Sequence, residues 1–412
     1  MARPMTVLAS THNLSTDNLD TARWMGVDEG VTSPRVMAML RRNQGHLLLC
    51  DGSAMQSRDS DLGVNGKVVE QHRNTSGGTY KGPASYQMFT CQPAGNAAPN
   101  NNATPPPVTL ADLTGEWRDI AVSDDGTKVT ATTGRYGHGA MFKVYHSSDS
   151  GATWTEGKEI PAYGWWNVAC SSDGMKLVTI AWGLEALATS VDFGGSWRII
   201  PHGTHGDVDS SADGTKLMWV GWNSVPEIST DSGATWSSRL FGADWQSVAC
   251  SSDGMKWVAT TTHGRIYTST DGGLNWTPRE TNRGWTDLAS SKDGTRLVAS
   301  SRSQTDGGYI YTSSDSGVTW MRQGTSGPKW YVGMSCSADG MKILVADADV
   351  DVIRISADAG VTWKATSTFP SEISCTSTSA DGRKHVAGEH SGSIWYSADG
   401  GATWAKGKLR KP

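Results

Sequence analysis

Indole rings stack on sugar rings and peptide side chains, and this chain carries large rings at one recurring place. Trp117, Trp165, His205, Trp245, Trp285, Tyr331 and Ile373 each lie eight residues before the Asp of an Asp-Gly pair. Near them in sequence fall Trp166, Trp182, Trp222, His202, His263, Arg265, Arg283, Lys329 and Trp330. An aromatic wall with a few directed polar groups is what small-ligand sites use. The candidate ligand-binding set is therefore Trp165, Trp166, His205, Trp245, His263, Arg265, Arg283, Trp285 and Trp330. The same rings could equally pack one structural unit against the next.

Hydrolysis of a glycoside would need two carboxylates about 5–10 Å apart. Acids near these segments are few: Glu185, Asp244, Asp287, Asp306, Glu372 and Glu389. No pair among them stands out, so the chain reads as non-enzymatic. Asp347, Asp349 and Asp351 alternate along one segment and read as a solvated acidic edge rather than a cation site. Asp59-Ser60-Asp61-Leu62-Gly63-Val64-Asn65-Gly66, ending at Glu70, departs from a calcium loop at Gly63 and Val64 and reads as a plain turn. No metal and no cofactor is expected.

The elements that must position these residues follow from two motifs in phase. Ser-x-Asp-x-Gly-x-x-Trp, here the Trp turn, occurs seven times, with its acid at Asp149, Asp192, Asp231, Asp271, Asp315, Asp358 and Asp399. Successive acids are 43, 39, 40, 44, 43 and 41 residues apart. Ser-x-Asp-Gly-x-Lys/Arg, here the Lys turn, has its acid at Asp125, Asp173, Asp213, Asp253, Asp293, Asp339 and Asp381. A fixed period in this range is a repeat architecture, one supersecondary unit per copy. Asp-Gly between alternating apolar runs marks a hairpin. The fifth copy reads as four strands: Leu288-Ala289-Ser290, Arg296-Leu297-Val298-Ala299, Tyr309-Ile310-Tyr311-Thr312 and Thr319-Trp320-Met321-Arg322. Four short strands repeated seven times predict an all-β fold, a seven-bladed β-propeller over residues 113–412. The Trp-turn acids are expected to accept N–H groups of their own loops and to be structural.

The Trp turn resembles the Asp-box, or sialidase-type BNR, repeat, and the resemblance covers residues 113–412. It implies that both turns share one face and that ligands bind on the opposite, loop face. The family includes sialidases, other glycosidases, lectins, sorting receptors and assembly factors. Sialidase chemistry needs an arginine cluster for a carboxylate. The nearest match to the family's Arg signature, Arg198-Ile199-Ile200-Pro201, follows a Trp turn instead of preceding the repeats. Blade number and Trp content are similar to bacterial seven-bladed propeller lectins.

Residues 1–98 lack the repeat and are polar, rich in Asn, Thr, Ser and Gly. A short helix is expected at Ser33–Arg42 and strands at His46–Cys50 and Tyr86–Thr90. Residues 99–112, with Asn100-Asn101-Asn102-Ala103-Thr104-Pro105-Pro106-Pro107, read as a linker. Such a polar region cannot build a large core alone, so it is expected to contact other subunits in a larger assembly. Cys170, Cys250 and Cys336 occupy equivalent places in non-adjacent blades, too far apart for a disulfide, and are expected as small buried thiols. Cys50 and Cys91 could pair. A net charge of −5 gives no argument for nucleic acid or an anionic membrane, and no apolar run is long enough for a membrane span. The N-terminus lacks a secretory pattern. The expected role is recognition of a glycan or protein ligand, on a phage or virus particle surface or as a soluble cellular lectin. An intracellular place and a sialidase-like hydrolase stay open as alternatives.

Overall fold

The computed structural model describes 109–134, 143–158, 160, 165–181, 186–201, 206–239, 241–302, 308–324 and 329–411, and three strands nearer the N-terminus. The chain divides into two compact units, Met1–Ala103 and Thr104–Pro412. In the first, Val7–Ser10, Gln44–Leu49 and Ala54–Arg58 form an antiparallel sheet in sequence order. The expected strand at 46–50 falls on the second of these. The expected helix at 33–42, the strand at 86–90, the turn at 59–70 and Cys50 and Cys91 lie outside the described residues.

The second unit is all β among its described residues. Seven four-stranded antiparallel sheets follow one another, each built from consecutive strands. Blade four is representative: Trp245–Cys250, Trp257–Thr261, Ile266–Ser269 and Thr277–Arg279. The Lys turn joins strands one and two of each blade, and the Trp turn joins strands three and four. The second strand reads as a continuous apolar or small run, as in Leu177–Ala181 and Leu297–Ser301, and every residue in both is buried. Neighbouring blades cover both of its faces, so the two-residue alternation of a one-sided sheet disappears. The core lies between blades. Ala169, Val178, Ile180 and Leu187 of blade two meet Val208, Leu217 and Trp219 of blade three.

Each Trp turn is a self-contained hydrogen-bond device. The Ser hydroxyl donates to the Asp at 2.8 Å and accepts the Gly N–H at 2.8–3.0 Å in all seven copies. The same carboxylate takes the N–H four residues on, from Thr153, Ser196, Thr235, Asn275, Thr319, Thr362 or Thr403. These donors hold the carboxyls of Asp231, Asp271 and Asp399 down at about 2, led by the Thr235 N–H, the Asn275 N–H and the Thr403 hydroxyl respectively. Six of the seven Trp rings return Nε1–H to the carbonyl of the turn Gly.

The Lys turn has a different job, clasping each blade to the next. Lys128, Lys176, Lys216, Lys256, Arg296, Lys342 and Lys384 each donate to the carbonyl of the turn Asp in the following blade, and Lys384 closes the circle on Asp125. The aliphatic stem lies over the following blade's turn Gly. A Cβ built on Gly254 would sit 2.7 Å from Lys216 Cδ.

Strand addition finishes the ring, a feature the repeat pattern did not reveal. Lys408–Lys411 runs parallel to the outer strand of blade one, Thr153–Glu156, and pairs antiparallel with Thr109–Asp112. Thr114–Gly115 pairs with the third strand of blade seven. Thr109–Asp112 is therefore a strand of the second unit, where the sequence had suggested linker. The blades keep four strands of their own, and Lys408–Lys411 and Thr109–Asp112 extend the sheet of blade one at its outer edge.

Candidate functional site

The seven inner strands surround an axial channel of about 1190 Å³. Its wall carries an unexpected row of acids. Asp119, Asp207 and Asp287 occupy the same place in blades one, three and five, and each reaches into the next blade. Asp119 accepts Val168 N–H at 2.8 Å, Asp207 accepts Val248 N–H at 2.9 Å, and Asp287 accepts Met334 N–H at 2.7 Å. Each also accepts the N–H of the residue following it. Asp207 takes two further bonds, from Asn167 Nδ2 at 2.5 Å and Ser247 Oγ at 2.8 Å. Loss of hydration raises all three carboxyls, Asp287 to about 7, and the mutual proximity of the acids adds to the rise at Asp119 and Asp287. Asp209, which accepts Cys250 N–H, also rises to about 7 through burial. Perturbed carboxyls in a cleft are ordinarily candidates for acid catalysis. Here the oxygens of Asp119, Asp207 and Asp287 already serve as latches between inner strands.

The recurring rings eight residues before the turn acid are not where the stacking reading put them. Trp165, Trp245 and Trp285 are fully buried, as is Trp117. They begin the inner strands but turn between blades. Trp285 meets Tyr311 edge-on at 5.2 Å, and Trp245 meets Tyr267 at 5.3 Å. None of the three offers a ring face to solvent. His205 lies outside the described residues, with Trp182, His202, Glu185 and Asp306.

The accessible aromatics come one position away or in other loops. Trp166 is half-buried, Trp330 is 37 % exposed and Trp222 is 49 % exposed, and all three line the loop-face mouth of the channel. The guanidinium of Arg118 lies 4.7 Å over Trp166, and that of Arg302 lies 4.3 Å over Trp330, within cation–π range. His263, Glu372 and His390 complete the rim. The structure thus brings together Trp166, His263 and Trp330 from the predicted set and adds Arg118, Trp222 and Arg302. The Arg residues were missed because they lie outside the repeat's signature positions. Arg265 and Arg283 are exposed but do not line the channel. Arg283 instead pairs with Glu280 at 3.6 Å and covers Tyr311.

Trp330 is firmly mounted. Its N–H donates to Asp349 Oδ2 at 2.7 Å, and its carbonyl accepts Ala348 N–H at 2.8 Å. Beside it Lys329 Nζ and Arg354 Nε both reach Asp347 Oδ2 at 2.8 Å. Asp347 is 1 % exposed, so this member of the expected solvated acidic edge instead anchors an ion triad, whereas Asp349 is exposed and Asp351 half-buried. Two cations on one carboxylate are the compensation that burial requires. Among the described residues, no group of three or more His, Cys, Asp or Glu is placed to hold a metal. Cys170, Cys250, Cys336 and Cys375 are free; the first three are half-buried on the channel wall rather than buried as expected, and loss of hydration pushes Cys170, Cys336 and Cys375 up to about 12.

No protein-family model matches the sequence, and comparison with curated proteins returns no match. Solved structures do match. The chain is similar to the GH74 xyloglucanase from Xanthomonas campestris at 14% identity and TM-score 0.55, covering 74% of this chain and 56% of that one. It is also similar to YCF48 from Cyanidioschyzon merolae at 16% identity and TM-score 0.53, covering 70% and 98%. A third is YCF48 bound to a D1 peptide, at 17% identity and TM-score 0.52, covering 71% and 97%. The fold is a seven-bladed β-propeller. The chain spans about half the length of the xyloglucanase, and at these identities the likeness establishes the fold alone.

Proposed function

We propose that this propeller is a non-enzymatic recognition protein that binds a glycan or protein segment at the loop-face mouth of its channel. The observation that carries the reading is the pair of Arg-covered rings there, Arg118 on Trp166 and Arg302 on Trp330, with Trp222 exposed on the same rim. Rings that keep exposed area in a concavity gain on contact with a sugar face or side chain, and Arg adds hydrogen-bond direction. The non-enzymatic part rests on the channel carboxylates being engaged by backbone donors, which leaves them little scope to exchange protons with a substrate. The Trp turns support placing the chain with Asp-box propellers, a group whose members include both hydrolases and binding proteins. One similar propeller is bound to a D1 peptide and another is a xyloglucanase, so both ligand classes belong in the test.

We further propose that residues 1–98 dock the propeller on a larger assembly, with a virus or phage particle surface as the first to examine. Their polar composition supports that reading, and co-purification with particles at fixed stoichiometry would test it. For the mouth, the experiment is a glycan array and a peptide array probed with the full chain and with Trp330→Ala. Loss of the signal in a folded variant is expected. Retained signal, or turnover of chromogenic glycosides by the wild type, would overturn the reading.

A further inference from the structure

Position −1 of each Lys turn forms a closed circle at the turn-face end of the channel. Asp124 N–H donates to Ser172 O, Ser172 to Ala212, Ala212 to Ser252, Ser252 to Lys292, Lys292 to Ala338, Ala338 to Ala380 and Ala380 back to Asp124, all at 2.7–2.9 Å. Seven backbones at strand-like spacing of ~4.8 Å make a ring roughly 11 Å across between Cα atoms. Five of the seven side chains are Ala or Ser. The two exceptions are Asp124 in blade one and Lys292 in blade five.

These two side chains meet. Lys292 Nζ forms an ion pair with Asp124 Oδ2 and also donates to Ser172 Oγ at 3.2 Å. In a seven-membered ring the places farthest from blade five are blades one and two, where its partners stand. The lysine therefore crosses the axis instead of running along the rim. The channel's lining residues include Val122, Cys170, Cys250, Ser290, Cys336 and Thr378, and none of the seven ring residues is among them. The cavity ends where the crossing begins.

We propose that Lys292 and Asp124 bolt the axial channel shut at the turn face, making it a blind socket that exchanges with solvent only through the loop face. The inference does not depend on what the mouth binds. Small residues at this place in five blades leave the axis open to the other two, and two complementary charged residues set opposite one another are what a bolt requires. Hydrophilic solutes are then held back at that end by the side chains as well as by the ring.

The channel thiols give the readout. All four thiols line the channel, but Cys170, Cys250 and Cys336 are half-buried two residues before the ring, whereas Cys375 is buried and lies five residues before it. Full-length protein is treated with a cationic methanethiosulfonate, and modification of each cysteine is followed by peptide mass spectrometry. Reagent entering through the loop-face mouth sets a basal rate in the wild type, and Lys292→Ala and Asp124→Asn should raise the rates at Cys250 and Cys336 severalfold above it, since thiol reaction follows access and thiolate fraction. The rate at Cys375 should stay constant. The exchanged pair Asp124→Lys with Lys292→Asp should restore the slow rates. Unchanged rates at Cys250 and Cys336 in both single variants, or fast rates persisting in the exchanged pair, would overturn the bolt. A parallel rise at Cys375 would equally overturn it, by showing that the whole blade ring had loosened.

Discussion

Two glycines with similar backbone angles should respond very differently to the same methyl group. Gly254, in the Lys turn of blade four, has φ of +58°, and Gly400, in the Trp turn of blade seven, has φ of +74°. Alanine in the left-handed region costs about 1–2 kcal/mol, partly offset by about 0.4–1 kcal/mol from a stiffer unfolded chain. At Gly400 that is the whole effect, because nothing lies within 4 Å of the added Cβ. Ser150, Ser232 and Ala359 already occupy the equivalent place in other blades with positive φ. At Gly254 the Cβ would lie 2.7 Å from Lys216 Cδ and 3.0 Å from Lys216 Cβ. The lysine has little room to yield, because its Nζ is fixed to Asp253 O at 2.6 Å. Overpacking of this kind adds about 1–3 kcal/mol. Gly254→Ala should therefore cost about 2–4 kcal/mol and Gly400→Ala about 1 or less. Urea unfolding of both variants at constant slope gives the comparison, and a Lys216→Ala background should shrink the excess at Gly254. Equal costs at the two sites would refute the claim that the Lys turn clasps neighbouring blades.

Further predictions concern the channel wall, acid stability and backbone strain. Asp207→Ala strips acceptors from Val248 N–H, Ser247 and Asn167, and calorimetry should find a loss of about 2–4 kcal/mol; a loss below about 0.5 kcal/mol would mean that water replaces the latch. Burial lowers His146 and His385 to about 4, so between about 6.5 and 4 the unfolded chain takes up protons that the fold resists. Their contribution is complete above about pH 6.5 and declines as pH falls, on the order of 1–2 kcal/mol each by pH 5. Replacing both with Phe should flatten that decline in pH-dependent denaturation, and an unaltered slope would count against it. Asp209 and Asp287, raised to about 7, act with the opposite sign, since their ionised forms weaken the fold above pH 7 and the penalty is relieved as pH falls. Ala359 holds φ of +57°, so Ala359→Gly should stabilise by up to about 1 kcal/mol, and a fall in melting temperature would contradict that.

Blade number and strand order were legible because the Ser and Asp of each Trp turn and Lys turn are spent on their own loop. A local hydrogen-bond set such as Ser229, Asp231, Gly233 and Thr235 leaves its pattern in consecutive residues. The mouth was harder to read for the same reason that strands are ambiguous. Trp165 and Trp166 are adjacent, and a shift of one residue exchanges the buried face for the open one. Asp347 looked solvated because its partners Lys329 and Arg354 meet it only through the fold of blade six. The closing strand Lys408–Lys411 has no apolar signature, and its partners lie more than two hundred residues away. The Lys292–Asp124 crossing likewise joins blades that no sequence period relates.

The claim that the loop-face mouth is the binding site is tested most directly by titration. The strongest glycan or peptide from the arrays is titrated calorimetrically into wild type, Trp330→Ala, Trp222→Ala and the turn-face variant Met255→Ala. Affinity should fall by about tenfold or more for each loop-face change, about 1–3 kcal/mol, with the turn-face variant matching wild type. Equal affinity in all four proteins, or a loss confined to Met255→Ala, would contradict the account.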